Sequence, residues 1–259
     1  SAHRISVENF YTHTGRDEGR FFQGPNTENN FIYRNERLQY VEEGLLSTGI
    51  TGEHFFSGLS NSRLDWRANY ARATRDEPDL RETLYQQAIT GTGAFLLSDE
   101  SQSGFRMFNA LEDKTLDISA NWSVLKAVSG RSAQFKFGGN YVERTRDFSS
   151  RRFRFIPNTA NTGGAVGINL ALGPEELFAS QNIGPIFRFN EETRPVDAYD
   201  GEQKTTSGYG MVDLALSEKV RFVGGARLEK FDQQVNTFDP FGLFLGRVSA
   251  ELKNTDVFP

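Results

Sequence analysis

Apolar and polar residues alternate with period two along several stretches of this chain, most clearly from Leu116 to Val124. Leu116, Ile118, Ala120, Trp122 and Val124 fall on one side, and Asp117, Ser119, Asn121 and Ser123 on the other. Successive side chains of a strand point to opposite faces, so this segment reads as a strand with one apolar and one polar face. The pattern recurs. Leu64, Trp66, Ala68 and Tyr70 oppose Arg63, Asp65, Arg67 and Asn69. Ala133, Phe135, Phe137, Gly139 and Tyr141 oppose Gln134, Lys136, Gly138 and Asn140. Val220, Phe222, Gly224, Ala226 and Leu228 oppose Arg221, Val223, Gly225, Arg227 and Glu229. Val248, Ala250 and Leu252 oppose Arg247, Ser249, Glu251 and Lys253. Fainter traces are Ile5 and Val7 with Tyr11, Leu38 with Tyr40, and Val212 with Leu214 and Leu216.

Strands are predicted near 2–14, 33–47, 62–74, 105–125, 131–147, 204–216, 219–235 and 245–254, the second running on to Phe56. The connections are lopsided. Gly15 to Ile32, Arg75 to Gly104 and Phe148 to Gln203 read as long. Ser57 to Asn61, Lys126 to Gly130 and Ser217 to Lys219 read as short, and Asn236 to Phe244 as middling. The longest holds one predicted helix, from Gly173 to Ala179, with Pro174 and paired acids at its start.

Any antiparallel sheet with one buried face alternates in this way, so a soluble sandwich is the plain alternative. Soluble all-β domains have short connections at both ends. Membrane strands need about 9–11 residues, and outer-membrane barrels pair short turns with long loops. The pattern therefore predicts an all-β fold: an antiparallel transmembrane β-barrel segment of about eight strands, with short periplasmic turns and long extracellular loops. In such a wall Leu64, Trp66, Tyr70, Leu116, Ile118, Trp122, Phe135, Phe137, Tyr141 and Phe222 face lipid. Arg63, Asp65, Arg67, Asp117, Lys136, Arg227 and Glu229 line the lumen, as ion-pair ladders or contacts to a plug.

Composition narrows the class. A mean hydropathy of −0.53 excludes a helical membrane protein, while a barrel escapes such a scan because half its strand residues are polar. With no Cys there is no thiol chemistry and no Cys-based zinc site. A net charge of −5 without a dominant basic patch argues against nucleic acid as a partner. The chain opens as if inside a strand and closes on Thr255-Asp256-Val257-Phe258-Pro259 without a closing element, so an excerpt of a longer chain is expected.

Several motifs, taken in order, resemble TonB-dependent outer-membrane receptors. They are the run Leu38 to Leu46 followed by Thr51 to Phe55, and the run Leu64 to Arg81. Phe137 to Tyr141 with Arg144 to Phe148, and Phe222 to Glu229, continue the series. Asn254 to Pro259 resembles the entry to a further barrel strand of that family. The resemblance implies a barrel of about 22 strands with a plugged lumen. It also implies uptake of a scarce ligand of the siderophore, cobalamin or oligosaccharide class, with the energy-coupling TonB complex acting through the plug. Residues 1–259 carry no recognisable plug and no TonB-contacting segment, so they read as a partial barrel domain.

Catalytic and metal chemistry find little support. His3, His13 and His54 lack metal-ligand spacing, and no nucleophile elbow, catalytic triad or phosphate-binding loop is present. Gly208-Tyr209-Gly210 lacks the third glycine of a dinucleotide fingerprint. Asp76, Glu77 and Asp79 around Pro78 read as solvated acids on a loop turn rather than an acid/base pair or a calcium site. Arg151, Arg152, Phe153 and Arg154, where the fifth strand leaves the membrane, are the candidate ligand-binding residues, since arginine suits bidentate recognition of anions. They suit lipopolysaccharide phosphates or lumen carboxylates as well. Trp66, Tyr70, Trp122 and Tyr141 are better placed for lipid contact than for sugar stacking.

The expected protein is thus a receptor of the outer membrane, not an enzyme, with no cofactor. Its expected partners are lipid and lipopolysaccharide, the TonB complex and a small-molecule ligand. A passive porin-like channel, constricted by the Phe148–Gln203 loop, is one alternative. A soluble β-rich binding module is the other.

Overall fold

The computed structural model describes residues 2–128, 130–158, 167–237 and 248–259. They form one antiparallel sheet. Its strands are β1 (His3–Asn26), β2 (Phe31–Phe56), β3 (Ser62–Ala88), β4 (Leu96–Leu97), β5 (Phe105–Val128), β6 (Arg131–Pro157), β7 (Phe187–Glu191), β8 (Tyr199–Ala215), β9 (Arg221–Thr237) and β10 (Val248–Phe258). The order is β1-β2-β3-β5-β6-β8-β9-β10, with β4 against β3 and β7 against β6. Each long strand thus pairs with the next long strand in sequence. The sheet is not closed: among the described residues β1 and β10 are its two edges. No helix among them is long and apolar enough to cross a membrane, which says nothing of crossing by strands.

The turn ends match the sequence reading. Residues 57–61 connect β2 to β3, with Ser60 and Asn61 at positive φ, and Gly130 at φ 77° closes the β5–β6 hairpin. Small or amide-bearing residues tolerate this left-handed backbone best. The helix α1 (Pro174–Leu177) also falls within its predicted segment, with Pro174 in its first turn.

The loop ends differ. Gly15 to Ile32 is no loop: β1 and β2 pair without interruption from His3↔His54 to Asn26↔Phe31. Asn26 Oδ1 caps the tight turn by accepting the N–H groups of Glu28 (3.1 Å) and Asn29 (3.3 Å). Gly15, Gly19, Gly24 and Pro25 look like breakers in sequence, but β2 holds them in the ladder opposite Glu42, Leu38, Tyr33 and Ile32. Likewise β3 runs to Ala88, β6 to Pro157, and β8 begins at Tyr199. Strands β1, β2, β3, β5 and β6 thus continue well past the length that crosses a bilayer.

Asp76 to Asp79 is also corrected. These residues lie within β3, where the register shifts on both sides: between Leu38 and Glu42 against β2, and between Glu77 and Leu80 against β5. Asp79 sits at φ 66°, so Pro78-Asp79 forms a β-bulge rather than a loop turn. Glu77 is buried, not solvated. The predicted strand 245–254 is seen from Val248, and Arg247 lies outside the described residues.

Candidate functional site

The register sorts the side chains onto two faces. One hydrogen-bonded row runs His54↔Leu64↔Trp122↔Phe137↔Gly210↔Ala226. The next runs Gly52↔Trp66↔Ala120↔Gly139↔Gly208↔Leu228↔Val257. Directly opposed residues share a face. Tyr70, Leu116, Ile118, Phe135, Tyr141 and Phe222 follow on that face by parity. Arg63, Asp65, Arg67, Asp117, Lys136, Arg227 and Glu229 all stand on the other face by the same rule. The last strand departs from its sequence reading. Leu252 opposes Gln233 and stands on the polar face, and Lys253 opposes Asp232 on the first face. The cause is height: this part of β10 lies past the apolar belt, where alternation no longer tracks the solvent.

The first face is apolar only for a limited height. On β3 it runs Leu64, Trp66, Ala68, Tyr70 and then meets Arg72; on β5 it runs from Val124 to Leu116 and then meets Lys114. The run spans nine residues on β5, enough for a membrane strand, and seven on β3. Among the described residues nothing covers this band: Ile118, Phe137, Phe222 and Leu228 are 45%, 48%, 49% and 54% exposed. The upper edge of the band steps across the sheet. On β2 the apolar run ends at Leu46, in the row of Arg72, with Tyr40 and Leu38 farther along beyond Gly44 and Glu42; on β9 it ends at Leu228, in the row of Trp66. A level belt around tilted strands requires such a stagger. Tyr11, Tyr70 and Tyr141 follow the upper edge, and Trp66, Trp122 and Phe56 cluster at the lower. Phe56 stacks on Trp122 with ring centroids 6.0 Å apart.

The second face is mostly polar, with Phe10, Val41, Phe55, Leu80 and Leu84 among its large apolar residues. It is concave: a hollow of about 500 Å³ is lined by Glu53, Asp65, Arg67, Asn121, Tyr209 and Arg227, contributed by separate strands. Ion pairs stitch neighbours together. Arg67 reaches Asp117 at 3.0 Å and Arg63 reaches Asp65 at 2.8 Å. Arg227 reaches Glu229 at 2.6 Å. Higher up, Asp113 accepts from both Arg144 (2.6 Å) and Arg146 (2.5 Å). Burial pushes the Asp113 carboxyl up, but the two guanidiniums more than offset this and hold it below the usual carboxylate range. Glu77 accepts from Asn109 (2.6 Å) and Gln39, and Glu82 from Asn35 (2.6 Å) and Arg37 (2.8 Å).

Past the belt, the described part of the long loop folds onto the first face. Tyr85, Leu177 and Phe187 are fully buried, packed with Phe155, Phe178, Leu97 and Leu172. Phe178 stacks on Phe155 at 4.3 Å, and the Tyr85 hydroxyl donates to Leu172 O at 2.9 Å. Burial raises the Tyr85 phenol above its ordinary value. The bulge ties into this core. Asp79 accepts from Arg81 (2.8 Å) and Arg106 (2.5 Å), and Arg81 also donates to Glu175 of α1 (2.9 Å). Burial pushes Asp79 up, and Arg106 and Arg81 bring it below the usual carboxylate range.

The arginine cluster does not stay together. Arg151 and Phe153 stand on the first face, Arg152 and Arg154 on the polar one. Arg151 pairs with Glu191 at 2.8 Å and covers the Phe153 ring at 4.9 Å. Phe153 stacks on Phe189 at 5.0 Å. Arg152 lies 3.6 Å from Asp197, and Arg154 donates to Asp99 O (2.6 Å) and Glu100 O (2.9 Å). One grouping had no sequence signal. His3 and His54 are directly opposed with Nδ1 atoms 3.2 Å apart, and the Trp66 indole donates to His54 Nε2 at 3.0 Å. Only the β1–β2–β3 register brings them together. Among the described residues, no group of three or more His, Asp or Glu side chains is arranged to hold a metal ion.

No protein-family model and no curated protein sequence matches the chain. Among solved structures it is similar to the siderophore receptor PiuA from Acinetobacter baumannii, with 11% identity and a TM-score of 0.37 over 97% of this chain and 46% of that one. The Ferric-Catecholate import receptor Fiu from Escherichia coli K12 gives 11% identity and a TM-score of 0.33, over 98% and 46% of the two chains. BauA, the Ferric preacinetobactin receptor from A. baumannii, gives 12% and 0.25, over 98% and 44%. The superpositions are loose, and the chain spans less than half the length of each receptor.

Proposed function

We propose that this chain is part of the wall of an outer-membrane β-barrel receptor of the TonB-dependent kind, which takes up a scarce ligand of the siderophore, cobalamin or oligosaccharide class. The observation that carries the reading is the uncovered apolar band, of membrane height and stepped across the strands, on the back of a polar, concave face. A soluble sheet buries its apolar face against another layer, and contiguous exposed apolar surface on that scale is foreign to soluble monomers. Lipid is the covering that suits it.

In this reading Leu64, Trp66, Tyr70, Leu116, Ile118, Trp122, Phe135, Phe137, Tyr141 and Phe222 contact lipid. Arg63, Asp65, Arg67, Asp117, Lys136, Arg227 and Glu229 line the lumen, where a plug and the passing ligand meet them. The work is transport and no covalent bond changes. The coupling complex acts on the plug, and the loops capture the ligand. Of the arginine cluster, Arg152 and Arg154 share the lumen face; Arg154 is tied to the carbonyls of Ser103, Asp99 and Glu100, which leaves Arg152 as the one a ligand reaches from inside. A porin-like channel would need the Phe148–Gln203 loop to fold inward. The core formed by the described part of that loop, around Leu177 and Phe187, packs on the opposite face, which favours the receptor.

Detergent dependence tests the reading. Circular dichroism of the purified chain is expected to show heat-resistant β-structure in micelles and none in plain buffer. A monodisperse β-protein in buffer alone would refute the barrel wall and leave a soluble binding module.

A further inference from the structure

Trp66, His54 and His3 form a chain of hydrogen bonds across three strands at the turn end. His3, His54 and Leu64 share one row of the first face, and Trp66 stands in the next row, opposite Gly52. The indole donates to His54 Nε2 (3.0 Å), and His54 Nδ1 lies 3.2 Å from His3 Nδ1. The indole also stacks on the His54 ring, 16° from parallel, in the space that Gly52 leaves by lacking a Cβ. The Phe56 ring flanks both imidazoles, with centroids 5.6 Å from His3 and 6.3 Å from His54.

Only one protonation state makes every bond of this chain. An indole N–H can only donate, so His54 Nε2 carries a lone pair, and the neutral ring keeps its proton on Nδ1. That N–H donates to His3 Nδ1, which carries a lone pair in turn. A proton on His54 Nε2 sets two donors face to face at the indole. A proton on His3 Nδ1 does the same between the rings. Two protons therefore remove both bonds and leave like charges on rings 5.3 Å apart. Among the described residues, no other charge faces the pair. Its neighbours on this face are Ile5, Leu64 and Phe56, with Trp122 beyond, and the 57–61 turn carries no titratable group. Arg4, Glu53, Arg63 and Asp65 stand on the concave face, where Arg63 meets Asp65 at 2.8 Å and Glu53 at 3.6 Å.

We infer that this chain is a pH-sensitive anchor: with both imidazoles neutral it pins the Trp66 ring over Gly52, and acid releases the ring and drives His3 and His54 apart. The switch needs only the register of β1, β2 and β3. Its address rests on the barrel-wall reading, which puts the turn end at the periplasmic interface, where tryptophan anchors a strand. Acidification of that compartment then loosens one aromatic anchor of the wall. The trio suits a proton better than a metal ion, because a metal on His54 Nδ1 would move the ring proton to Nε2, against the indole N–H.

The chain has two Trp, so Trp122→Phe leaves Trp66 as the sole indole emitter. In micelles the emission of the full chain is expected to shift to the red in one reversible transition between about pH 8 and pH 5, where imidazole changes charge. His54→Gln supplies an acceptor that does not titrate, so it should keep the neutral-pH emission and abolish the transition. His13→Gln, at the third histidine, should leave the transition as it is. Ring-nitrogen NMR shifts of His54 read the same event in the unsubstituted chain: Nε2 should pass from lone pair to N–H on acidification. A flat emission, a transition that survives His54→Gln or vanishes with His13→Gln, or an Nε2 already protonated at neutral pH overturns the switch and leaves the wall standing. A chain that folds and titrates in plain buffer supports the switch and overturns its periplasmic address.

Discussion

The turn-end and loop-end halves of the same strands keep their shape by different means. In the loop-end half the protein makes its own core on the first face, where Tyr85, Leu177 and Phe187 are fully buried, while Val41, Leu80 and Leu84 are buried on the other face. In the turn-end half the only buried apolar side chain among the described residues is Ala133, and the large apolar residues point outward. A sheet needs its apolar face covered. Above the band the chain supplies the cover by folding its loop back onto the sheet. Within the band no described residue covers it. The same alternating strand is thus half of a core in one region and, in the proposed reading, a lipid contact in the other.

The largest expected effect separates the halves by cooperativity. Phe187→Ala empties the loop core and should cost about 3–5 kcal/mol locally. Limited proteolysis should then cut within residues 167–191 while the turn-end half keeps its β-spectrum; loss of both together would show that the halves are one core. Next, Ile118→Arg should cost about 2–4 kcal/mol in vesicles, whereas Ser119→Arg, one residue along on the concave face, should cost under about 1 kcal/mol. Equal costs by denaturant titration would erase the distinction between the faces. A smaller effect is expected at Gly52, where a Cβ would collide with the Trp66 indole. Gly52→Ala should displace that ring from His54 at about 1–3 kcal/mol and shift the tryptophan emission.

The smallest effect is a pH effect confined to the loop end. The folded Asp79 carboxyl sits below its unfolded value, so its contribution is complete above the unfolded value and lost as pH falls through the folded one. Hydrogen exchange around α1 should therefore rise only below about pH 4. A rise starting nearer neutrality would place the latch on another group.

Much of the sheet was legible in the chain. Parity alone assigned every residue from Arg63 to Asn69 and from Leu116 to Val124 to its observed face, because the strand repeat is local and needs no partner. Short turns were legible for the same reason: Gly130 and Asn61 mark them by backbone preference. The failures share a cause. Gly15 to Ile32 and Asp76 to Asp79 look like breaks, and become strand because a long-range register holds them. At Leu252, parity was legible but its meaning was not, since the height at which the band ends depends on neighbouring strands.

The sequence by itself determined that the chain would be strands with one wet and one greasy side, since successive side chains of any strand alternate. Only the tertiary structure decided the rest: which rows align, how the band steps, that the polar face is the concave one, and that the loop core lies on the other. It brought His3, His54 and Trp66 together, and it drew Arg151 and Arg152 apart. These depend on hydrogen-bonded register between segments far apart in sequence, a property that no single strand carries.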